Sequence, residues 1–138
     1  LDLTPFSLLV VYDPVMRLPI DVFPCEDGHA QERSLLKTVL PTINSKDVWI
    51  ADCNFCTRDF TFGIASRQAC FIIRGHKKYP CKPYGKEKYI GSIESGRIYQ
   101  GRITVVDEAG AKRIFRRVRV SLKTETRDGD KETAIISN

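Results

Sequence analysis

Two long alternating segments, Ile98 to Val106 and Arg113 to Leu122, meet across Asp107-Glu108-Ala109-Gly110-Ala111, and this pairing constrains the chain more than any other feature. Alternation sends successive side chains to opposite faces of a strand, and a five-residue connection containing glycine is a hairpin turn. In the second segment Ile114, Val118, Val120 and Leu122 share a face with Arg116, while Arg113, Phe115, Arg117 and Arg119 share the other. Three guanidiniums beside an aromatic ring read as a phosphate-facing surface. Thr133 to Ser137 reads as a third strand, reached through the turn at Asp128-Gly129. The stretch from 75 to 91, rich in Lys, Tyr, Pro and Gly, reads as a loop.

Charge divides the chain in the same place. Residues 1 to 70 hold six basic and nine acidic side chains, a balance of −3, and residues 71 to 138 hold sixteen and eight, a balance of +8. The whole carries +5, which makes an acidic partner worth testing. With 42% hydrophobic and 28% charged residues among 138, the composition is that of one globular domain and excludes a disordered chain. No apolar run approaches the roughly 18 residues of a spanning helix. The opening LDLTPFSLLVVYD lacks the basic start of a secretion signal. Five cysteines at 25, 53, 56, 70 and 81 form no even framework, so a reduced, cytoplasmic protein without a membrane anchor is expected. The first residue, Leu rather than Met, suggests an excised or incomplete reading frame.

The acidic part mixes periods. Ser7 to Tyr12 reads as a strand closed by Asp13-Pro14, and Leu18, Ile20 and Val22 as its hairpin partner, with Pro19 arguing for an edge. Leu36, Val39, Leu40 and Ile43 recur at helical spacing after Gly28, and Pro41 ends or kinks that helix. Val48 to Ala51 and Cys70 to Ile73 are short continuous apolar runs, the pattern of strands buried on both faces. Between them a helix is predicted with Thr57 as N-cap, Asp59 in its first turn, and Phe60, Ile64 and Arg67 on one face. The order β, β, α, β, α, β followed by the alternating segments predicts an α/β (α+β) fold built on a mixed sheet.

Asp52 is the leading candidate for chemistry. A carboxylate one step past a strand lies at the C-terminal edge of the sheet, where open α/β folds gather reactive groups. An Asp so placed also serves simply to end the strand or cap the next helix. The stretch from Val10 to His76 closely resembles the catalytic core of DDE transposases of bacterial insertion sequences, the subgroup with a β-rich insertion in an RNase H-like domain. Trp49-Ile50-Ala51-Asp52 followed by Asn54-Phe55, then Phe71-Ile72-Ile73-Arg74 after a helix, carry most of the likeness; GHAQERSLL (28 to 36) and TRDGD (126 to 130) extend it.

The resemblance implies residues 1–74 as the central part of the RNase H-like core and 75–138 as a basic β-rich insertion. It implies Asp52 as the second acid of a catalytic triad and a ligand of Mg²⁺ (or Mn²⁺), and DNA, at transposon ends and target, as the partner. Two divalent ions on three carboxylates would clamp the oxygens of an in-line displacement, first by water and then by the freed 3′-hydroxyl. The first acid is expected upstream of residue 1 and the third on a helix after the insertion, so the chain is expected to be an inactive fragment taken alone. Asp2, in LDLTPF, lacks the expected strand context. Arg74, Lys77, Lys78, Arg113, Arg117 and Arg119 are the expected phosphate contacts. A bacterial cytoplasmic location and a homodimer of the full-length protein fit the same family. A non-catalytic DNA-binding remnant of a decayed element is the alternative, and a nuclease unrelated to transposition a third reading.

Cys53 stands where the family commonly has Arg, which creates Cys53-x-x-Cys56. A structural zinc there would need two further ligands, with Cys25 and His29 or His76 and Cys81 as candidates. Otherwise the pair is accidental. His76 is a candidate backbone contact or an exposed loop residue, whereas His29 suits a local structural role. Glu26, Asp27 and Glu32 suit a helix N-terminus. Tyr79, Tyr84 and Tyr89 among Lys77, Lys78, Lys82, Lys86 and Lys88 either flank DNA or pack on the sheet.

Overall fold

In the computed structural model, which describes residues 7–25 and 32–138, the chain is a mixed α+β protein of two compact units, Leu1–Ile43 and Asn44–Asn138. Asp2, Glu26, Asp27, Gly28 and His29 lie outside the described residues, as does the first part of the 28–36 motif.

The first unit holds the predicted hairpin. Strands β1 (Ser7–Asp13) and β2 (Leu18–Cys25) pair antiparallel, with Leu9 opposite Phe23. Asp13 builds the turn, its Oδ1 accepting from the N–H groups of Val15 (2.8 Å) and Met16 (3.0 Å), and Arg17 closes it at φ 55°. Pro19 lies next to the register shift at Val11/Tyr12, in a strand with only one neighbour, as its missing donor requires. The predicted helix is a single α-turn, α1 (Leu36–Val39), between 3₁₀ turns at Glu32–Leu35 and Leu40–Thr42. Pro41 stands in the second of these, where the α-helix has already ended. Leu36, Val39 and Ile43 are buried, and so are Phe23 and Cys25.

The second unit is a six-stranded sheet with one helix on it. Strands β3 (Val48–Ala51), β4 (Cys70–Arg74), β5 (Cys81–Ile93), β6 (Gly96–Val106), β7 (Lys112–Leu122) and β8 (Glu132–Ser137) take the order β3-β4-β8-β7-β6-β5. Only β3 and β4 run parallel; every other neighbour is antiparallel. The third strand expected after the hairpin is therefore a bridge, inserted between β7 and β4. Through it the strands of 48–74 and those of 75–138 share one hydrogen-bonded sheet. The segment expected to be a loop ends as β5, a 13-residue edge strand. Gly85 at φ 77° and Gly91 at φ 152° accompany register shifts that hide its alternation from the sequence.

Helix α2 (Arg58–Ser66) links β3 to β4 and packs on one sheet face. Phe60 and Ile64 are buried there, Phe62 meets Phe115 edge to face at 6.0 Å, and Phe115 meets Phe71 at 5.0 Å. Arg67 caps the helix end, outside the stripe expected to include it. Thr61 donates to backbone carbonyls of its own helix, so the Tyr79 hydroxyl at 2.9 Å supplies the proton of their shared hydrogen bond. Burial raises the Tyr79 pKa and keeps it in the neutral form that this bond needs.

Thr57 is the predicted N-cap, its hydroxyl accepting from Phe60 N–H at 3.2 Å. Thr57→Ala is expected to cost about 1 kcal/mol in chemical denaturation, and an unchanged midpoint would refute the cap.

The opposite sheet face is open, which corrects the expectation for both short apolar strands. On β3 Val48 and Ile50 are 60% and 74% exposed, and on β4 only Phe71 and Ile73 are buried. The runs are continuous because each strand carries apolar residues on a covered and an open side, not because both sides are covered. Ile114 and Ile135 share that open face.

Candidate functional site

Asp52 follows β3 directly and starts a 3₁₀ turn, Cys53–Phe55. Its Oδ1 accepts from the Cys53 N–H at 2.7 Å and from Arg74 Nε at 2.8 Å. Arg74 ends β4, the parallel neighbour, so the two strands deliver both charges to one sheet edge. A second guanidinium nitrogen donates to Cys53 Sγ at 3.2 Å, and this sulfur, then the Asp52 charge, raises the Arg74 pKa. Both side chains of the Asp52–Arg74 pair are more than half exposed, so its contribution to stability is about 1 kcal/mol or less.

This arrangement does not by itself fit Mg²⁺. The ion takes an octahedron of hard oxygens. Here a guanidinium already holds the carboxylate oxygen, and the same guanidinium also donates to the Cys53 thiol. Among the described residues no three His, Cys, Asp or Glu side chains gather to hold a metal. None of the five cysteines is in a disulfide, and Cys56 is buried while Cys53 turns toward Arg74.

Beside this edge lies a groove of about 860 Å³. Arg74, His76, Lys77, Lys78, Arg117 and Lys131 line it, together with Asp128, Asp130 and Glu132. His76 Nδ1 accepts from the Lys78 N–H at 3.1 Å, which fixes the turn carrying the lysines. Lys77 pairs with Asp130, and that bond raises the lysine pKa. Arg74, Lys77 and Lys78 thus line one groove.

Of the other expected phosphate contacts, Arg117 reaches the groove while Arg113 and Arg119 lie outside it, and all three are already engaged. Arg113, Arg117 and Arg119 point to the face that α2 covers, the face of buried Phe115. Arg113 stacks over Phe62 at 5.4 Å and donates to Ser66 Oγ at 2.8 Å. Arg117 meets Glu132 at 3.4 Å. Arg119 lies over the Tyr99 ring at 4.6 Å, between Glu87 at 2.8 Å and Glu132 at 3.2 Å. The Arg119 hydrogen bond lowers the Glu87 pKa, and Glu87 in turn raises that of Arg119. Glu87 and Glu132 are the residues sequence reasoning missed. Glu87 sits in the segment read as loop, and only the strand register brings it across to Arg119.

Comparison of the chain with family models, with curated proteins and with solved structures finds no match. Among the described residues no helix is long and apolar enough to cross a membrane.

Proposed function

We propose that this chain serves a DDE transposase-type enzyme as a DNA-engaging part that carries one catalytic acid, Asp52, and that by itself it binds DNA without cutting it. The observation that carries the reading is the shared edge of β3 and β4, where Asp52 and Arg74 adjoin the groove of Lys77 and Lys78. An RNase H-like core is the finer fold reading, supported by the parallel β3–α2–β4 unit with an acid at the end of its first strand. In an assembled enzyme Asp52, released from Arg74, would be one ligand of divalent ions that would activate the nucleophile, with further carboxylates completing the set. What these residues do is hold backbone phosphates: a phosphate displaces Asp52 from Arg74 and Asp130 from Lys77. These contacts position DNA without reading its bases. The second reading, a DNA binder with no catalytic role, is favoured by the occupied Asp52 oxygen.

Supercoiled DNA incubated with the chain and Mg²⁺ or Mn²⁺ is expected to stay intact. Nicking that disappears with Asp52→Asn would overturn the expected inactivity. The same substitution removes the carboxylate that phosphate must displace from Arg74 and is expected to tighten DNA binding at fixed salt. An affinity unchanged in that variant would remove Arg74 from the DNA contacts.

A further inference from the structure

At the centres of β5, β6 and β7 the two faces of the sheet hold their cations differently. On the covered face Arg117 and Arg119 have carboxylate partners. The register puts Lys82 and Tyr84 of β5, Arg102 of β6, and Lys112 and Arg116 of β7 on the open face. Lys88 joins them opposite Gln100. All six side chains are exposed. Among the described residues no Asp or Glu occupies a strand position on this face. Glu87 interrupts β5 but turns to the covered side, against Gly101 and Arg119. Asp52, past the end of β3, is four strands from β6.

Arg102 and Arg116 stand directly opposite each other across β6 and β7. Like charges in that position destabilise a sheet. Their partners are neutral: Tyr84, whose ring lies 5.9 Å from the Arg102 guanidinium, and Gln100, whose Oε1 accepts from Arg116 at 2.8 Å. These contacts hold both guanidiniums in place and leave their charge uncompensated. With lysines on three sides, the surface is preorganised for a polyanion with charges spread along its length.

We infer that the open face of the sheet, from Lys82 and Lys88 through Arg102 to Arg116 and Lys112, is a binding surface for duplex DNA phosphates, separate from the groove beside Asp52. DNA is favoured over an anionic membrane because the cations are spread across three strands around a planar tyrosine. The apolar Ile114 stands within a strand between Lys112 and Arg116, not at a loop tip that could enter a bilayer. The inference extends the DNA-binding part of the function proposed above and is independent of Asp52.

The test is fluorescence anisotropy with a labelled duplex, from about 50 to 200 mM salt, for three proteins. Arg102→Gln/Arg116→Gln is expected to bind at least about tenfold more weakly, with a slope shallower by about 1.8, the value of two lost contacts. Lys77→Gln/Lys78→Gln probes the groove. If the wild-type chain binds no DNA, both the inference and the proposed function fall. If the groove variant weakens while the sheet variant keeps wild-type affinity and slope, the inference alone is overturned. Binding to phosphatidylserine vesicles without binding to the duplex overturns it as well. Should the arginine pair reduce folding, judged by circular dichroism, Lys82→Gln/Lys112→Gln gives the same readout from side chains that hold no hydrogen bond or ion pair among the described residues.

Discussion

Phe115→Ala is expected to destabilise the chain by about 3–5 kcal/mol, the range for removing a buried aromatic ring. The ring is 3% exposed and stands where the sheet meets α2, with Phe71 edge-on at 5.0 Å and Phe62 at 6.0 Å. It touches the helix and β4 at once, so its removal leaves a cavity that neither can close without moving the other. Phe62 also carries the Arg113 guanidinium, so repacking would disturb a charged neighbour. Small domains have only about 5–15 kcal/mol in total. A loss of this size is a large fraction of that and should appear as a clear drop in the urea midpoint. Phe115→Leu keeps most of the volume and should cost less. A midpoint change equivalent to under about 1 kcal/mol for the alanine variant would mean that the ring is not part of the core.

Phe115 also marks where sequence reasoning stopped short. Its alternation with Arg113, Arg117 and Arg119 was legible and the shared face is real. What alternation does not reveal is which face a helix will cover. A row of arginines beside an aromatic looks like a surface for phosphate, and here α2 packs over the part of it around Phe115. The carboxylates that make this tolerable come from β5 and β8, strands distant in sequence. The hairpin of β1 and β2, the Thr57 cap, the turn at Gly110 and the strand at 132–137 were local signals and were readable for that reason. The one-sided exposure of Ile50 and Ile72 was not readable, because a run such as VWIA looks the same whether one or both faces are covered. At the candidate site, position gave Asp52 at the end of β3, but its ion pair with Arg74 depended on the parallel register of β3 and β4.

DNA affinity is expected to fall about 500-fold between 50 and 200 mM salt, on the basis of five phosphate contacts and a slope of about −0.9 for each. The number five comes from the distribution of partners rather than from the total charge. The chain holds 22 lysines and arginines, and many of them are spent internally. Arg58, Arg117 and Arg119 are paired with carboxylates and partly buried, and Arg113 is held by Phe62 and Ser66. Arg74 and Lys77 must give up Asp52 and Asp130 before they meet phosphate, so each releases less binding free energy than an unpaired cation. Lys82, Lys88, Arg102, Lys112 and Arg116, the five cations of the open sheet face, have no carboxylate partner among the described residues. They should therefore dominate the steep part of the salt dependence. Counting every basic residue would predict a far steeper fall, and a chain held to DNA by non-ionic contacts would show almost none. Anisotropy titrations at the two salt concentrations separate these cases, and an affinity that changed less than about threefold would eliminate the phosphate-backbone mode altogether.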